Sequence, residues 1–219
     1  DGTWSGFDAG DTLAIAGSGS IVVNVESVTN DGSTVSLGGI DTITVDTDDT
    51  LQAAAAQLDG AGLTGAGTTV VRSLDASGAN LSSVTSTTVT LDVTSGNASV
   101  DTGFQLAGGR AYTLSGGNTL NLTAATSLGL NATSSFAIAA STGLIADAAD
   151  LDQVATSSGG TTTVRSLAAS TADLSELNST TVILDIESAN AEVGVGFDLA
   201  GRNYQVNGTG ELDLTNATL

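Results

Sequence analysis

The chain of 219 residues carries 24 acidic side chains against four Arg and no Lys, for a formal net charge of −20. A surface this negative excludes nucleic acid and anionic membranes as partners, because both are polyanions. Cys, His, Met and Pro are also absent, which excludes disulfides, thiolate chemistry, Ser-His-Asp and Cys-His catalysis and His-based zinc sites.

In chain order, alternation at period two predicts strands over 12–16, 20–25 and 42–46, with the Asn-Asp-Gly turn at 30–32 between the second and third. The Ala-rich segment 50–58 predicts a short helix with Asp49 or Thr50 as N-cap. The run 88–93 is the clearest strand: Val89, Leu91 and Val93 face inward, and Thr88, Thr90 and Asp92 face outward. Further strands are expected at 111–115, 119–123 and 181–186, and a second helical corner at 144–151. No apolar run approaches the roughly 20 residues that a membrane helix needs.

The strongest signal is internal. Shifted by 93 residues, segment 68–108 falls on 161–201 with 26 of 41 positions identical and no gaps. A third, partial copy is legible in GFDAGDTLAIAGSGSIVV from Gly6, which reads like GFDLAGRNYQVNGTGELDL from Gly196. The division is therefore one continuous repeat domain over 1–219: the end of a partial copy at 1–33, a complete copy at 34–126, and a near-complete copy at 127–219. Within each full copy the frame Leu-x6-Leu recurs 23 residues apart, at Leu51/Leu58 and Leu74/Leu81, then at Leu144/Leu151 and Leu167/Leu174. Four units of about 23 residues make up the long repeat on this reading. Short strands with Gly-rich corners at that spacing predict an all-β fold, a β-solenoid (β-helix) with short helical corners, because one unit cannot close a core and stacked units can. Tandem β-sandwich domains are the alternative that the long period also permits.

Repetition argues against a unique catalytic pocket, and no enzyme is expected. All four Arg fall on two repeated positions, Arg72 with Arg165 and Arg110 with Arg202, and each is expected to pair with acids of a neighbouring coil. Two acidic groups are candidates for calcium, which takes several oxygen ligands: Asp46, Asp48 and Asp49, and Asp147, Asp150 and Asp152. Otherwise no cofactor is expected. Seven Asn-x-Ser/Thr triplets, at Asn80, Asn97, Asn121, Asn131, Asn178, Asn207 and Asn216, have the form of glycan acceptors. Threonine doublets such as Thr68-Thr69 and Thr180-Thr181 could stack on a flat face. The absence of Met at position 1 predicts a processed or excised piece.

The phrases GNTLNLTAA from Gly117 and LTGAGTTVV from Leu63 resemble stretches of giant secreted adhesin-like and surface-layer-like repeat proteins of marine and aquatic bacteria. The resemblance implies an extracellular or cell-surface place and a region that extends a fibre or tiles a coat, often with calcium. The expected function is structural: self-assembly with other copies or repeats, or extension as a surface fibre, sheath or lattice. The alternative is an adhesin module that recognises a glycan, ice or another surface.

Overall fold

The computed structural model describes residues 12–15, 20–22, 42–187, 189–199 and 203–219. The chain winds as a β-solenoid of about eight turns. A seven-stranded sheet stacks Ser20–Val22, Thr50–Ala54, Thr68–Arg72, Thr88–Asp92, Ala111–Ser115, Ser135–Ile138 and Ala155–Ser157, one strand per coil. A six-stranded sheet stacks Ala98–Ser99, Thr119–Asn121, Gly143–Asp147, Thr161–Arg165, Thr181–Asp185 and Gln205–Asn207. Shorter ladders close the coil: Thr12–Ile15 and Leu63–Thr64 on either side of Thr42–Val45, Asn80–Leu81 with Gln105–Leu106, and Ala191–Glu192 with Leu212–Asp213. All of these pairings are parallel, as they must be when every coil runs the same way round. The sandwich alternative falls with that observation, since sandwich sheets are antiparallel.

Stacking turns the period-two alternation of each strand into columns. One inward column of the seven-stranded sheet runs Leu51, Thr69, Val89, Tyr112, Phe136 and Thr156, in register across six coils. The next runs Ala53, Val71, Leu91, Leu114 and Ile138. Every member of both columns is buried. Each large aliphatic or aromatic side chain so placed contributes about 1.5–3 kcal/mol. Tyr112 stacks on Phe136 with ring centroids 5.3 Å apart, and its hydroxyl donates to the carbonyl of Ala107 at 2.7 Å. Polar residues inside the coil are paired with one another: Thr69 with Ser86 and Thr162 with Ser179, each at 2.7 Å between hydroxyl oxygens. One core joins residues of both full copies, from Ile43 to Leu199.

The coil is not a constant 23 residues. Across the ladders Thr50 lies opposite Thr68, Thr68 opposite Thr88, Val89 opposite Tyr112 and Ala111 opposite Ser135, so successive turns take 18, 20, 23 and 24 residues. The 23-residue Leu spacing joins different parts of the coil. Leu51 lies in a strand of the seven-stranded sheet, and its neighbour across the ladder is Thr69, whereas Leu74 lies beyond the end of the next strand. The 93-residue repeat is therefore not four coils. Strand Thr50–Ala54 is stacked, through three intervening coils, beneath Ser135–Ile138, and its repeat counterpart is the next strand along, Gly143–Asp147, on the six-stranded sheet. One repeat equals four turns plus one face. The same step recurs along the chain: Thr12–Ile15 belongs to a three-stranded ladder, its counterpart Ala111–Ser115 to the seven-stranded sheet, and Gln205–Asn207 to the six-stranded sheet.

The expected helix over 50–58 is a strand, Thr50–Ala54, followed by a single 3-10 turn, Ala55–Gln57. The counterpart at 144–151 behaves alike: strand Gly143–Asp147, then a 3-10 turn Ala148–Leu151. Helix propensity is a weak term in so short a segment, and the parallel ladders on both sides of 50–54 outweigh it. The N-cap is Ala54, whose N–H donates to Gln57 Oε1 at 2.9 Å, rather than Asp49 or Thr50. The turns between strands are built from left-handed residues that repeat with the sequence: Asp48 and Ser141, Gly60 and Gln153, Gly65 and Ser158, Ser73 and Ser166, and Ala76 and Ala169 all have positive φ. Glycine is required at Gly65, where a Cβ would collide with the backbone of Val45. The 30–32 turn lies outside the described residues.

An L-residue with a Cβ is disfavoured in the left-handed region by roughly 1 kcal/mol relative to Gly. Ala169, exposed and at φ 55°, loses little contact on truncation. Ala169→Gly should therefore stabilise the fold by up to about 1 kcal/mol in urea denaturation, whereas Gly65→Ala should destabilise it by more than that. A destabilised Ala169→Gly protein would contradict the corner geometry.

Candidate functional site

The acidic residues do not gather. Asp46 and Asp49 form a tight turn in which the Asp49 N–H donates to the Asp46 carbonyl at 3.1 Å, with Asp48 left-handed between them. Asp46 and Asp48 face solvent and Asp49 is buried. The equivalent turn of the next copy, closed by the Thr142 N–H on the Ala139 carbonyl at 3.0 Å, has no carboxylate at any of the three positions. The second group also divides. Asp147 accepts a hydrogen bond from the Ser166 hydroxyl at 2.7 Å, and Asp152 accepts the N–H of Asp173, one coil on, at 2.7 Å. Asp150 is half-buried in the 3-10 turn, and burial, with the Asp147 charge adding to it, pushes its carboxyl up to about 6. Among the described residues no three acidic side chains converge as a metal-holding group.

What the carboxylates do instead is hold corners. Asp59, Asp75, Asn97, Asp152 and Asn190 each accept, through Oδ1, a backbone N–H of the following coil, 21 to 24 residues on, at 2.7–3.0 Å. A second set accepts the N–H two residues further along the same corner: Asn80, Asp92, Asn121, Asn131, Asp173, Asp185 and Asp213. Where Ser or Thr stands at that second position, its hydroxyl often donates to the same oxygen, as at Asn80, Asp92, Asn121 and Asn131. The hydrogen bonds hold the carboxyls of Asp173 (chiefly from the Ser175 side chain) and Asp213 (chiefly from the Thr215 backbone) below the usual range. Asn80, Asn121 and Asn131 are thereby explained as corner residues without reference to glycans. The sequence contains the signal: Asn and Asp alternate freely before Leu-Ser or Leu-Thr, as in Asn80-Leu81-Ser82, Asp173-Leu174-Ser175 and Asp213-Leu214-Thr215.

Two of the Arg pair with acids in the expected way. Arg72 Nε donates to Asp92 at 3.1 Å, and Arg165 Nε to Asp185 at 2.9 Å, with Glu187 3.6 Å from its other end. Each bridge links successive coils, and because of the one-face step the first lies on the seven-stranded sheet and the second on the six-stranded sheet. Partly exposed pairs of this kind contribute about 0–1 kcal/mol each. Arg110 differs. It donates to the carbonyls of Thr85 and Ser86 one coil below, and among the described residues no carboxylate pairs with it. Its counterpart Arg202 lies outside the described residues.

Two shallow grooves occupy equivalent places in the two copies. The first, about 320 Å³, is lined by Asp75, Asn97, Ser99, Thr119, Asn121 and Ile145. The second, about 380 Å³, is lined by Asn190, Ala191, Glu192, Glu211 and Asp213. Asn97 and Ser99 correspond to Asn190 and Glu192, and, after a one-residue deletion, Thr119 and Asn121 correspond to Glu211 and Asp213. Sequence reading missed both grooves, because their residues come from successive coils whose lengths are unequal.

Comparison with known protein families, with curated proteins and with solved structures gives no match.

Two outcomes test the corner reading. Asp152→Asn should change stability by no more than about 0.5 kcal/mol, because an amide oxygen accepts the same N–H, whereas Asp152→Ala should cost about 1 kcal/mol. Equal losses in chemical denaturation would show that charge, not the acceptor, matters there. Asp150 has a carboxyl raised above the ordinary value of 3.8, so its contribution is fully present below pH 4 and is lost as pH rises through about 6. Asp150→Asn should be near neutral at pH 4 and stabilising by about 1 kcal/mol at pH 8, given its partial solvent screening.

Proposed function

We propose that the chain is a structural rod segment of an extracellular or cell-surface protein, in which each 93-residue repeat lengthens one continuous solenoid. The observation that carries this reading is that, among the described residues, no seam divides the two full copies. Both broad sheets take strands from both full copies, and one hydrophobic core serves both. Repeats joined in this way extend a single body, which suits a spacer, a fibre or a tile better than a chain of separate binding domains. The acidic composition supports the same reading, because a net charge of −20 keeps parallel rods soluble and apart unless salt or a cation screens them. Among the described residues no helix is long and apolar enough to cross a membrane. Association of such rods into a filament, sheath or surface lattice is the further step of the proposal, with another copy as the partner and calcium as the candidate bridge.

Deleting residues 68–160 removes one repeat and joins Gly67 to Thr161, the counterpart of Thr68. The shortened protein should fold cooperatively, and small-angle scattering should show a rod shorter by four turns, on the order of 20 Å at about 4.8 Å per coil. A chain that loses its β circular dichroism would sink the interchangeable-repeat reading. Negative-stain microscopy of the full chain with millimolar calcium, then with chelator, tests the assembly step: filaments lost on chelation support bridging by calcium, and isolated rods in both conditions remove it.

A further inference from the structure

We infer that the groove of the first full copy is a binding site for an uncharged, linear, hydroxyl-rich ligand, an oligosaccharide lying along the rod axis. The direction follows from the register. Ser99, Asn121 and Ile145 stand opposite one another in consecutive coils, and Asp75 sits one coil below Ser99, whose N–H it accepts at 3.0 Å. The groove therefore runs across four coils, about 14 Å of axis. An extended chain fits such a path, and a compact metabolite does not fill it.

The chemistry follows from which atoms the fold has already used. Asn97 Oδ1 accepts the Thr119 N–H at 2.9 Å, and Asn121 Oδ1 accepts the Thr123 N–H at 3.1 Å and its hydroxyl at 2.9 Å. These bonds fix both amide planes and leave the two NH2 groups as donors held in place before any ligand arrives. Ser99 and Thr119 add hydroxyls that donate or accept, and the second oxygen of Asp75 accepts. Ile145 supplies a half-buried aliphatic floor for the C–H face of a sugar ring. Donors and acceptors are mixed and no cationic side chain lines the groove, so an anionic sugar has no counter-charge and meets a repelling chain. The second copy retains Asn190 but places Glu192, Glu211 and Asp213 where Ser99, Thr119 and Asn121 stand. The equivalent groove thus keeps one amide donor, on Asn190, has carboxylates where the other donors stand, and one site per pair of copies is expected.

Asn97→Asp with Asn121→Asp is the decisive variant. Aspartate accepts the same backbone N–H at the equivalent corner Asp213 and at Asp75, so the fold is retained while both NH2 donors are removed. The probes are neutral hexasaccharides of β-1,4-glucan, β-1,3-glucan, α-1,4-glucan and β-1,4-linked N-acetylglucosamine, with hexagalacturonate as the anionic control, followed by NMR amide shifts and calorimetry. At least one neutral probe should bind the unmodified protein at about 1 mM or tighter and shift residues 97–99 and 119–121. The double variant, with unchanged circular dichroism, should bind it at least about tenfold more weakly, the loss of two hydrogen bonds. The inference is overturned if no neutral probe binds below about 10 mM, if the double variant binds as tightly, if the shifts map elsewhere, or if hexagalacturonate binds equally well. Scattering from the same samples reports rod length independently, so failure here leaves the structural reading standing or falling by its own test.

Discussion

The parallel ladder between coils is the constraint from which the rest of this structure follows. A turn of about 20 residues has too little interior to bury its apolar side chains alone. It acquires a core only when its inward residues fall on those of the turns above and below, and the ladder enforces that coincidence residue by residue. Leu51, Thr69, Val89, Tyr112, Phe136 and Thr156 differ in size and polarity, yet they share one column because the backbone hydrogen bonds leave them no other position. Size mismatches are absorbed locally, by the Tyr112–Phe136 stack and by the paired hydroxyls inside the coil.

The same constraint accounts for the acidic composition. A coil must turn several times per circuit, and each corner leaves backbone N–H groups that no ladder reaches. Asn and Asp satisfy them equally well, through the oxygen they have in common. Asp59 meets the N–H of residue 80, and its counterpart Asp152 meets that of residue 173; Asn97 and Asn190 do the same at another corner. Wherever the choice falls on Asp, a negative charge appears that the corner itself does not need. Part of the net charge, from seven of the 24 acidic residues, is in this sense a by-product of turning.

The sequence was most informative where it was periodic and least informative where unequal coils broke the count. The alternation of 88–93 identifies inward Val89, Leu91 and Val93 correctly, and all three are buried. The short strands between Gly-rich corners correctly imply a β-solenoid. The Leu-x6-Leu frame misled, because a constant spacing along the chain is not a constant position around a coil whose turns vary from 18 to 30 residues. Ala-rich 50–58 misled for another reason: local propensity carries less weight than two flanking strands. The left-handed corners at Ser73, Ala76, Ser166 and Ala169 left no trace in composition, since neither Ser nor Ala signals positive φ. The grooves were invisible because their walls come from coils whose stacking order is legible only once every turn has been measured.

The one-face step has a geometric consequence for anything that meets the rod from outside. A feature written once in the repeat returns four turns higher and turned to the neighbouring side, as the Arg72–Asp92 bridge returns as Arg165–Asp185. Repeated features are thus distributed like the treads of a spiral stair, and such a rod has neither front nor back. A flat partner can touch only one tread of a given kind at a time, whereas a partner that wraps can follow them all.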